Sequence, residues 1–360
     1  MALPASGGNP PTNPISASDI ANEFGYTHNP ETRLGSYRTT NGQGNFPVSF
    51  GALQFNSIDA VSGGSVPTSG QIKFSDFYST KLQTVVNFYG SGRGGTRLIA
   101  KDRYNAGGSN DVQTVGNYRT RPNNSSGTKV HIHINQEIGS EKTRVEHCAL
   151  RTGSWDSSTT LQVDVGGSGR IGGAGGDGGD GGTPFSPGNG QSGSSGLGIQ
   201  YNPTTVNVAS GGVITAGFGG GGGGGGAYDT DKEATRTASG GGGGGGAGIP
   251  AGEGGAAGTG SSHNANGGPG SDGNLSEGGA GGGNASNDGE AVSAGGGAGG
   301  EASDSADAGG TGSGGEGSTY AGGDPGAAGA AIRRNTGFTV NVNIASSGSV
   351  NGVQNATTVL

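Results

Sequence analysis

Glycines that recur every third residue dominate the second half of this chain. Residues 166–360 contain 68 of the 88 glycines, and the run at 172–183 is Gly-Gly-X four times over. This period matches neither the roughly 3.6 residues of an α-helix nor the roughly two residues of a β-strand. It is the period of the polyproline II helix, which makes no internal hydrogen bonds. The pattern therefore predicts packed glycine helices of this type, called polyglycine II, whose backbones bond to one another.

Two other structures share a glycine-rich composition. Collagen needs a long uninterrupted Gly-X-Y repeat with abundant proline, but this chain has only 14 prolines and its register breaks often. A disordered glycine-rich linker has the same composition as the predicted bundle, and the sequence alone leaves that alternative open.

The apolar residues are concentrated in the first half. Only 28% of all residues are hydrophobic, and residues 1–165 hold 14 of the 20 aromatic residues. We expect three domains: a small N-terminal module at 1–82, a β-sandwich-like domain at 83–165, and a polyglycine II domain with short β rungs at 166–360. The predicted fold class is mainly β with a polyglycine II bundle and little α-helix.

One repeat links the β region to the glycine region. Its copies lie at 163–173, 206–214 and 340–352, and each is a short strand, a turn and then an apolar residue close to glycine. We interpret the copies as related rungs that flank glycine-rich insertions. The last copy would pin the C-terminal residues onto the fold.

The N-terminal module contains two copies of a short motif. Residues 15–25 predict a two-turn helix that Ser18 caps and Gly25 ends. Residues 72–78 repeat its beginning: Ile, two residues, Ser-Asp and then an apolar residue. Such small units bury little surface alone, so we expect the module to dock on something larger.

Charge and cysteine content exclude several functions. Residues 166–360 carry a net charge of −10, while residues 1–165 sum to +2. An acidic tract repels phosphate, so we expect no nucleic-acid partner. The single Cys148 allows no disulfide within the chain. Neither a signal peptide nor an apolar run of membrane-spanning length is present, so we expect a soluble protein made in a cytosol, without membrane insertion.

Few residues carry candidate chemistry. His131 and His133 stand at i and i+2 of a predicted strand and so face one side, where they could bind a metal ion. The alternative is an ordinary half-exposed strand face with Ile132 and Ile134 pointing inward. No catalytic triad, carboxylate pair or zinc spacing is recognisable, so we expect neither an enzyme nor a cofactor.

The first 80 residues resemble the N-terminal segment of virion structural and tail-fibre proteins of tailed phages, notably those that infect marine cyanobacteria. The matching motifs lie at 15–25, 34–38 and 66–78. The resemblance implies that this segment joins the chain to other tail or baseplate proteins. Its candidate docking residues are Ile15, Ile20, Phe24, Tyr37, Ile72, Phe74, Phe77 and Tyr78.

The glycine region resembles the glycine-rich modules of phage tail fibres and, more loosely, the receptor-recognising adhesin at the long-fibre tip of T-even phages. The resemblance implies a bundle of polyglycine II helices whose connecting loops touch a host-surface receptor. The corresponding loops here contain two tyrosines, whereas those adhesins have aromatic-rich loops. The candidate contacts are Tyr228, Asp229, Asp231, Lys232, His263, Asn264 and Tyr320.

Two functions follow from these resemblances. The first is a tail-fibre adhesin of the virion tail, made in the host cytoplasm, that attaches by residues 1–82 and presents its glycine region to the host. The alternative is a purely structural baseplate, tail-tip or fibre-collar protein whose glycine region packs against neighbouring subunits. We expect a homo-oligomer, for which a trimer is the usual fibre symmetry, while the resemblance to the T-even tip adhesin also allows one copy per fibre. Ice binding would need flat rows of Ala and Thr, which the mixed Asp, Glu and Asn positions do not provide.

Overall fold

The structure is a computed structural model. It describes residues 14–23, 34, 46–50, 53–62, 67, 69–79, 81–88, 97–100, 112–115, 129–142, 144–153, 160–182, 186–230, 235–259, 266–287, 291–292, 295–301, 313–314 and 320–359.

The described chain is mainly β with little helix, which confirms this part of the predicted fold class. Helix α1 spans Ala17–Glu23, and a 3₁₀ helix spans Phe74–Phe77. Neither described helix has the length and apolarity needed to cross a membrane. The strands in chain order are β1 (Phe46–Phe50), β2 (Leu53–Ser62), β3 (Lys81–Phe88), β4 (Arg97–Ala100), β5 (Val112–Val115), β6 (Lys129–Ile134), β7 (Glu137–Gly139), β8 (Cys148–Arg151), β9 (Thr160–Val165), β10 (Arg170–Gly172), β11 (Ser195–Ile199), β12 (Thr204–Val208), β13 (Val213–Thr215), β14 (Ala227–Thr230), β15 (Thr235–Ala238), β16 (Ser286–Asn287), β17 (Ala291–Val292), β18 (Ser313–Gly314), β19 (Ile332–Arg334), β20 (Val340–Ile344), β21 (Ser349–Asn351) and β22 (Ala356–Thr357).

The two short helices begin in the same way. At α1, Asp19 N donates to Ser16 Oγ (3.1 Å), and Ser16 N donates to Asp19 Oδ2 (2.7 Å). This reciprocal pair is a capping box, so Ser16 rather than the predicted Ser18 begins the helix. At the 3₁₀ helix, Lys73 N donates to Asp76 Oδ2 (2.7 Å). The aspartate of each repeated motif therefore accepts a backbone N–H from three residues earlier.

Three sheets wind around a common core, and their strands pair in parallel except for β1, β2 and β3, which pair antiparallel at one edge of the first sheet. Their strand orders are β1-β2-β3-β6-β9-β12-β20 in sheet A, β21-β13-β10-β7 in sheet B and β22-β19-β11-β8-β4-β5 in sheet C. From β6 to β13, successive strands enter sheets A, B and C in turn. Strands β14–β18 belong to two other sheets, and the order then continues with C in β19 and with A, B and C in β20, β21 and β22. The chain therefore forms a three-sided parallel β-solenoid in which each turn adds one strand to each sheet.

Stacked apolar residues hold the turns of the solenoid together. Each buried position lies beside the equivalent position of the next turn, and members of all three sheets join one core cluster. Burial of each such side chain stabilises the fold by roughly 1.5–3 kcal/mol. The stacked neighbours are Val163, Val206 and Val342 in sheet A, Ile171, Ile214 and Val350 in sheet B, and Leu150, Leu197 and Ile332 in sheet C.

The three repeats found in the sequence are thus neighbouring turns of the solenoid. Strand β12 pairs parallel with β9 on one side and with β20 on the other. This arrangement differs from a sandwich confined to 83–165, because β7, β8 and β9 of that range pair with β10, β11 and β12 of the glycine-rich half. Alternating apolar residues indicate a strand with one buried face, but they do not indicate which strand lies beside it. The division into three domains stays a prediction.

The glycine-rich segments leave the solenoid between sheets B and C. One excursion separates β10 from β11, and a longer one separates β13 from β19. The backbone hydrogen bonds show that the segments lie side by side, some leading away from the solenoid and others back to it. The segments that lead away are 173–182, 216–226, 250–258 and 277–285, and those that return are 187–194, 239–249, 266–274, 295–300 and 320–330.

Hydrogen bonds between these segments recur every third residue. Gly176, Gly179 and Gly182 each donate an N–H to segment 216–226, at 2.8, 2.9 and 2.9 Å. The segment 239–249, called the central segment below, bonds on all sides. Its hydrogen-bond partners are the segments 173–182, 216–226, 250–258, 266–274, 277–285 and 295–300.

The number of glycines in each triplet follows the position of the segment in the bundle. A Cβ at Gly242, Gly243 or Gly244 of the central segment would lie 2.0, 2.1 or 1.9 Å from a backbone oxygen, each on a different neighbouring segment. Residues three apart in a segment point in the same direction and form a row, so each segment has three rows. In the central segment all three rows face neighbouring backbone, and Gly240–Gly246 is uninterrupted glycine. In the outer segment 173–182 only two rows are enclosed, so the third row carries side chains.

These outer side chains satisfy neighbouring backbone groups. Asp177 Oδ1 accepts from Glu253 N (2.8 Å) and from Lys142 Nζ (2.6 Å), and Asp180 Oδ1 accepts from Ala256 N (2.8 Å). A carboxylate at the X position of Gly-Gly-X thus accepts a hydrogen bond from a backbone N–H that would otherwise need water. Asp177 and Asp180 therefore help to hold neighbouring segments together, in addition to keeping the protein soluble.

Candidate functional site

Two small antiparallel sheets lie at the end of the bundle farthest from the solenoid. Segment 216–226 runs outward into the antiparallel hairpin β14–β15, which leads into the central segment. Strands β16, β17 and β18 form a second antiparallel sheet that contacts the hairpin. Tyr320 begins the last returning segment, and its N–H donates to Gly226 O (3.2 Å). We call this end, made of β14–β18 and Tyr320, the distal tip.

The structure places part of the predicted receptor contacts at the distal tip. The backbones of Tyr228 and Asp229 lie in β14, and half-buried Tyr320 lies beside the start of the same hairpin. The backbones of Tyr228, Asp229 and Tyr320 are therefore close together at one end of the bundle. The remaining candidates, Asp231, Lys232, His263 and Asn264, lie outside the described residues.

Sequence reasoning missed the small sheet of β16, β17 and β18. Its strands come from 286–292 and 313–314, which had not been named as candidate loops. A signal was present, because the glycine period breaks at these positions as it does at 227–238. Every such break could have been assigned to a connection between neighbouring glycine segments.

The predicted virion-docking residues fall into two groups. Ile20 and Phe77 are fully buried within the chain, one in each of the short helices. Ile15, Ile72 and Tyr78 are half-buried, while Phe74 is exposed over 44% of its surface. The last two candidates, Phe24 and Tyr37, lie outside the described residues.

The outer face of sheet A carries a cluster of polar side chains. His131 and His133 point outward from β6, while Ile132 and Ile134 are buried on its inner side. This is the orientation that the sequence predicts. The parallel register places Asp164 of β9 directly beside His133. Sequence reasoning missed Asp164, because the pairing of β6 with β9 joins residues 31 positions apart.

The three side chains approach one another closely. Asp164 Oδ2 lies 3.9 Å from His131 Nδ1 and 3.5 Å from His133 Nδ1. The other carboxylate oxygen, Oδ1, accepts hydrogen bonds from Gln162 Nε2 (2.6 Å) and Asn207 Nδ2 (2.8 Å). The two imidazole rings are 6.0 Å apart. Among the described residues, these three form the one group of histidine, cysteine and carboxylate side chains with metal-ligand spacing.

A groove of about 470 Å³ runs along this face beside the cluster. One side is a row of polar residues in register on four strands, and the other is a row of small residues that creates the depression. The polar row is His133, Asp164, Asn207 and Asn343, and the small residues are Gly166, Ala209 and Ala345.

The β-solenoid thus carries the glycine-rich bundle, and two small antiparallel sheets lie at the end of the bundle farthest from the solenoid. Comparison with known families identifies the class of protein. The family model of Phage tail fibre adhesin Gp38 matches residues 99–355, which is more than two thirds of the chain. The chain therefore belongs to the phage tail fibre adhesin Gp38 family. No curated protein and no solved structure matches it.

Membership in this family makes the protein a bacteriophage tail-fibre adhesin of the virion tail. Its partners are accordingly the phage tail and a receptor on the host. The matched range contains almost all of the solenoid from β5 to β21 and the whole glycine bundle.

Proposed function

We propose that this adhesin contacts its host receptor through the distal tip and is held on the tail by residues 1–82. The glycine segments are polyglycine II helices, and they act as the rigid support of the tip. The observation that carries this proposal is the convergence of β14–β18 and Tyr320 at the end of the bundle farthest from the solenoid.

The hydrogen bonds between segments support the polyglycine II assignment. Donors spaced three residues apart, as at Gly176, Gly179 and Gly182, require about one turn per three residues. Each segment then needs a neighbour in every direction in which it lacks side chains. A lattice of this kind fixes the spacing of its connections, so the tip presents its residues in one arrangement, and less conformational entropy is lost on binding.

The proposed tail attachment rests on the N-terminal motifs. Phe74 is an exposed aromatic on a short 3₁₀ helix, with Ile72 and Tyr78 half-buried beside it in the sequence. An exposed aromatic with apolar neighbours is the kind of side chain that anchors protein interfaces. Ile20 and Phe77 would serve instead as internal supports of the module, because both are buried within the chain.

Adsorption inhibition tests the receptor contact. Purified full-length protein is added to host cells before the phage, and free phage is then counted. The tip variant replaces residues 231–234 by Asn-Gly, a two-residue turn that preserves a β-hairpin while removing Asp231 and Lys232. The control is Leu275→Ser, which changes an exposed residue in the turn between segments 266–274 and 277–285, at the solenoid end of the bundle.

We expect the wild-type protein and the Leu275→Ser control to block adsorption equally. The tip variant should need at least about tenfold more protein, which corresponds to the loss of one contact worth roughly 1.4 kcal/mol. Equal inhibition by all three proteins would exclude the tip as the contact surface. If even the folded wild type neither binds cells nor inhibits phage, the purely structural alternative is favoured. The homo-oligomer stays a prediction, which sedimentation of the purified protein measures.

A further inference from the structure

We propose that His131, His133 and Asp164 bind one divalent transition-metal ion, of the Zn²⁺ type, on the outer face of sheet A. This site belongs to the solenoid and is independent of the receptor contact proposed for the distal tip. Two imidazoles and one carboxylate form a donor set that suits Zn²⁺ and neighbouring first-row ions.

The spacing of the donor atoms fits an ion between them. Two ligands held about 2.0–2.1 Å from a tetrahedral zinc ion lie roughly 3.4 Å apart. Asp164 Oδ2 is 3.5 Å from His133 Nδ1 and 3.9 Å from His131 Nδ1, and all three ligand atoms fall within 4.8 Å of one another. These distances exceed the 2.7–2.9 Å or so of a charge-assisted hydrogen bond. Small side-chain rotations therefore bring the three groups onto one ion.

Neighbouring amides hold the carboxylate in the orientation that an ion requires. Gln162 and Asn207 both donate to Asp164 Oδ1, which leaves Oδ2 directed at the imidazoles. Asn343 Nδ2 in turn donates to Asn207 Oδ1 (2.8 Å), so the amide of Asn207 has its nitrogen toward Asp164. Hydrogen bonds of this outer kind orient metal ligands and raise affinity. Parallel pairing of β6, β9, β12 and β20 places the whole chain of donors in register.

The site is also accessible from solvent. The side chains of His131, His133 and Asp164 are 24%, 33% and 22% exposed, and two of them line the groove described above. An ion can therefore enter without unfolding the sheet, and water can complete its coordination. Ligand identity, spacing, an oriented carboxylate and an entry path are the features expected of a metal site.

Calorimetric titration of the full-length protein with Zn²⁺ tests the proposal. We expect one ion per chain, with Co²⁺ giving the visible absorption bands of a site of low coordination number. Asp164→Asn should weaken binding at least about tenfold, because loss of an outer-shell partner alone costs that much. His133→Gln should weaken it similarly. The control is His147→Gln, which removes a histidine whose Nδ1 lies 3.1 Å from Glu141 Oε1 but which stands outside the cluster.

A second variant separates ligation from general damage to the sheet. Asn207→Ala leaves all three ligands in place but removes one donor to Asp164 Oδ1. We expect the stoichiometry to stay at one ion and the affinity to fall about tenfold. The proposal is overturned if folded wild-type protein shows no saturable Zn²⁺ binding. Equal affinity of wild type and Asp164→Asn, or loss of the ion in His147→Gln alone, would overturn it as well.

Discussion

Replacing Gly243 by alanine tests whether the backbones of the glycine bundle are tightly packed against one another. Gly243 lies in the central segment, and a Cβ there would stand 2.1 Å from Gly221 O, whereas 3.4 Å is the lower limit of ordinary contact. The obstacle is backbone, so two segments would have to separate by about 1.3 Å. This separation stretches the hydrogen bonds between the two segments, which now measure 2.8 Å from Gly221 N to Gly244 O and 2.7 Å from Gly224 N to Gly241 O.

The cost follows from these hydrogen bonds. Each net hydrogen bond contributes about 1 kcal/mol, and each buried amide left unpaired costs roughly 1–3 kcal/mol. With two or three bonds affected, Gly243→Ala should lower the free energy of unfolding by on the order of 3–6 kcal/mol. The matched control is Gly283→Ala, because a Cβ there meets no atom within 4 Å and its φ is not in the left-handed region. Where the backbone conformation permits alanine, this exchange stabilises by about 0.4–1 kcal/mol.

Guanidinium denaturation followed by circular dichroism measures both variants against the wild type. We expect a large decrease in the midpoint for Gly243→Ala and no decrease for Gly283→Ala. Equal midpoints for the two variants would refute the reasoning, since they would show that neighbouring backbones do not enclose the central segment.

Two further predictions concern the solenoid and the N-terminal helix. Arg333 is buried and donates hydrogen bonds to Ser195 Oγ (3.1 Å) and to Thr357 O (2.5 Å). Arg333→Met should therefore lower the free energy of unfolding by about 2–4 kcal/mol, measured by thermal or guanidinium unfolding. An unchanged midpoint would show that these hydrogen bonds do not stabilise the solenoid. Hydrogen bonds from the Ser16 side chain, and then from its backbone, lower the pKa of Asp19 below the ordinary 3.8. The stabilisation of α1 by the capping box should therefore be fully present above pH 3.8 and be lost as the pH falls through the lowered pKa of Asp19. Ser16→Ala should raise the pKa of Asp19 in an NMR titration. An unchanged pKa in this variant would contradict the cap.

The capping motifs show how far local sequence reaches. Residues 15–25 predict a short helix, which is present at Ala17–Glu23, and the copy of the motif at 72–78 forms the 3₁₀ helix Phe74–Phe77. The predicted cap, Ser18, was wrong by two residues. Ser16 and Ser18 both precede helix-compatible residues, and only the backbone conformation decides which hydroxyl faces the free N–H groups.

The candidate metal site could be predicted only in part. Alternation in a strand placed His131 and His133 on one face, because successive side chains point to opposite sides. Asp164 entered the site through the pairing of β6 with β9. That pairing depends on how the turns of the solenoid stack, and stacking is a long-range property that no local pattern contains.

The sequence by itself determined that the second half of this adhesin packs through its backbone. Glycine at every position of a triplet, or at two of three, leaves few side chains to form any other core, and the three-residue period sets where the hydrogen bonds fall. It also determined the repeating turns, because the three strand copies carry the same buried positions. The tertiary structure alone decided which segment is central, which loops meet at the distal tip and which carboxylate faces the two histidines. Each of these depends on contacts between residues far apart in the chain, and such contacts form only when the turns of the solenoid stack and the glycine segments pack side by side.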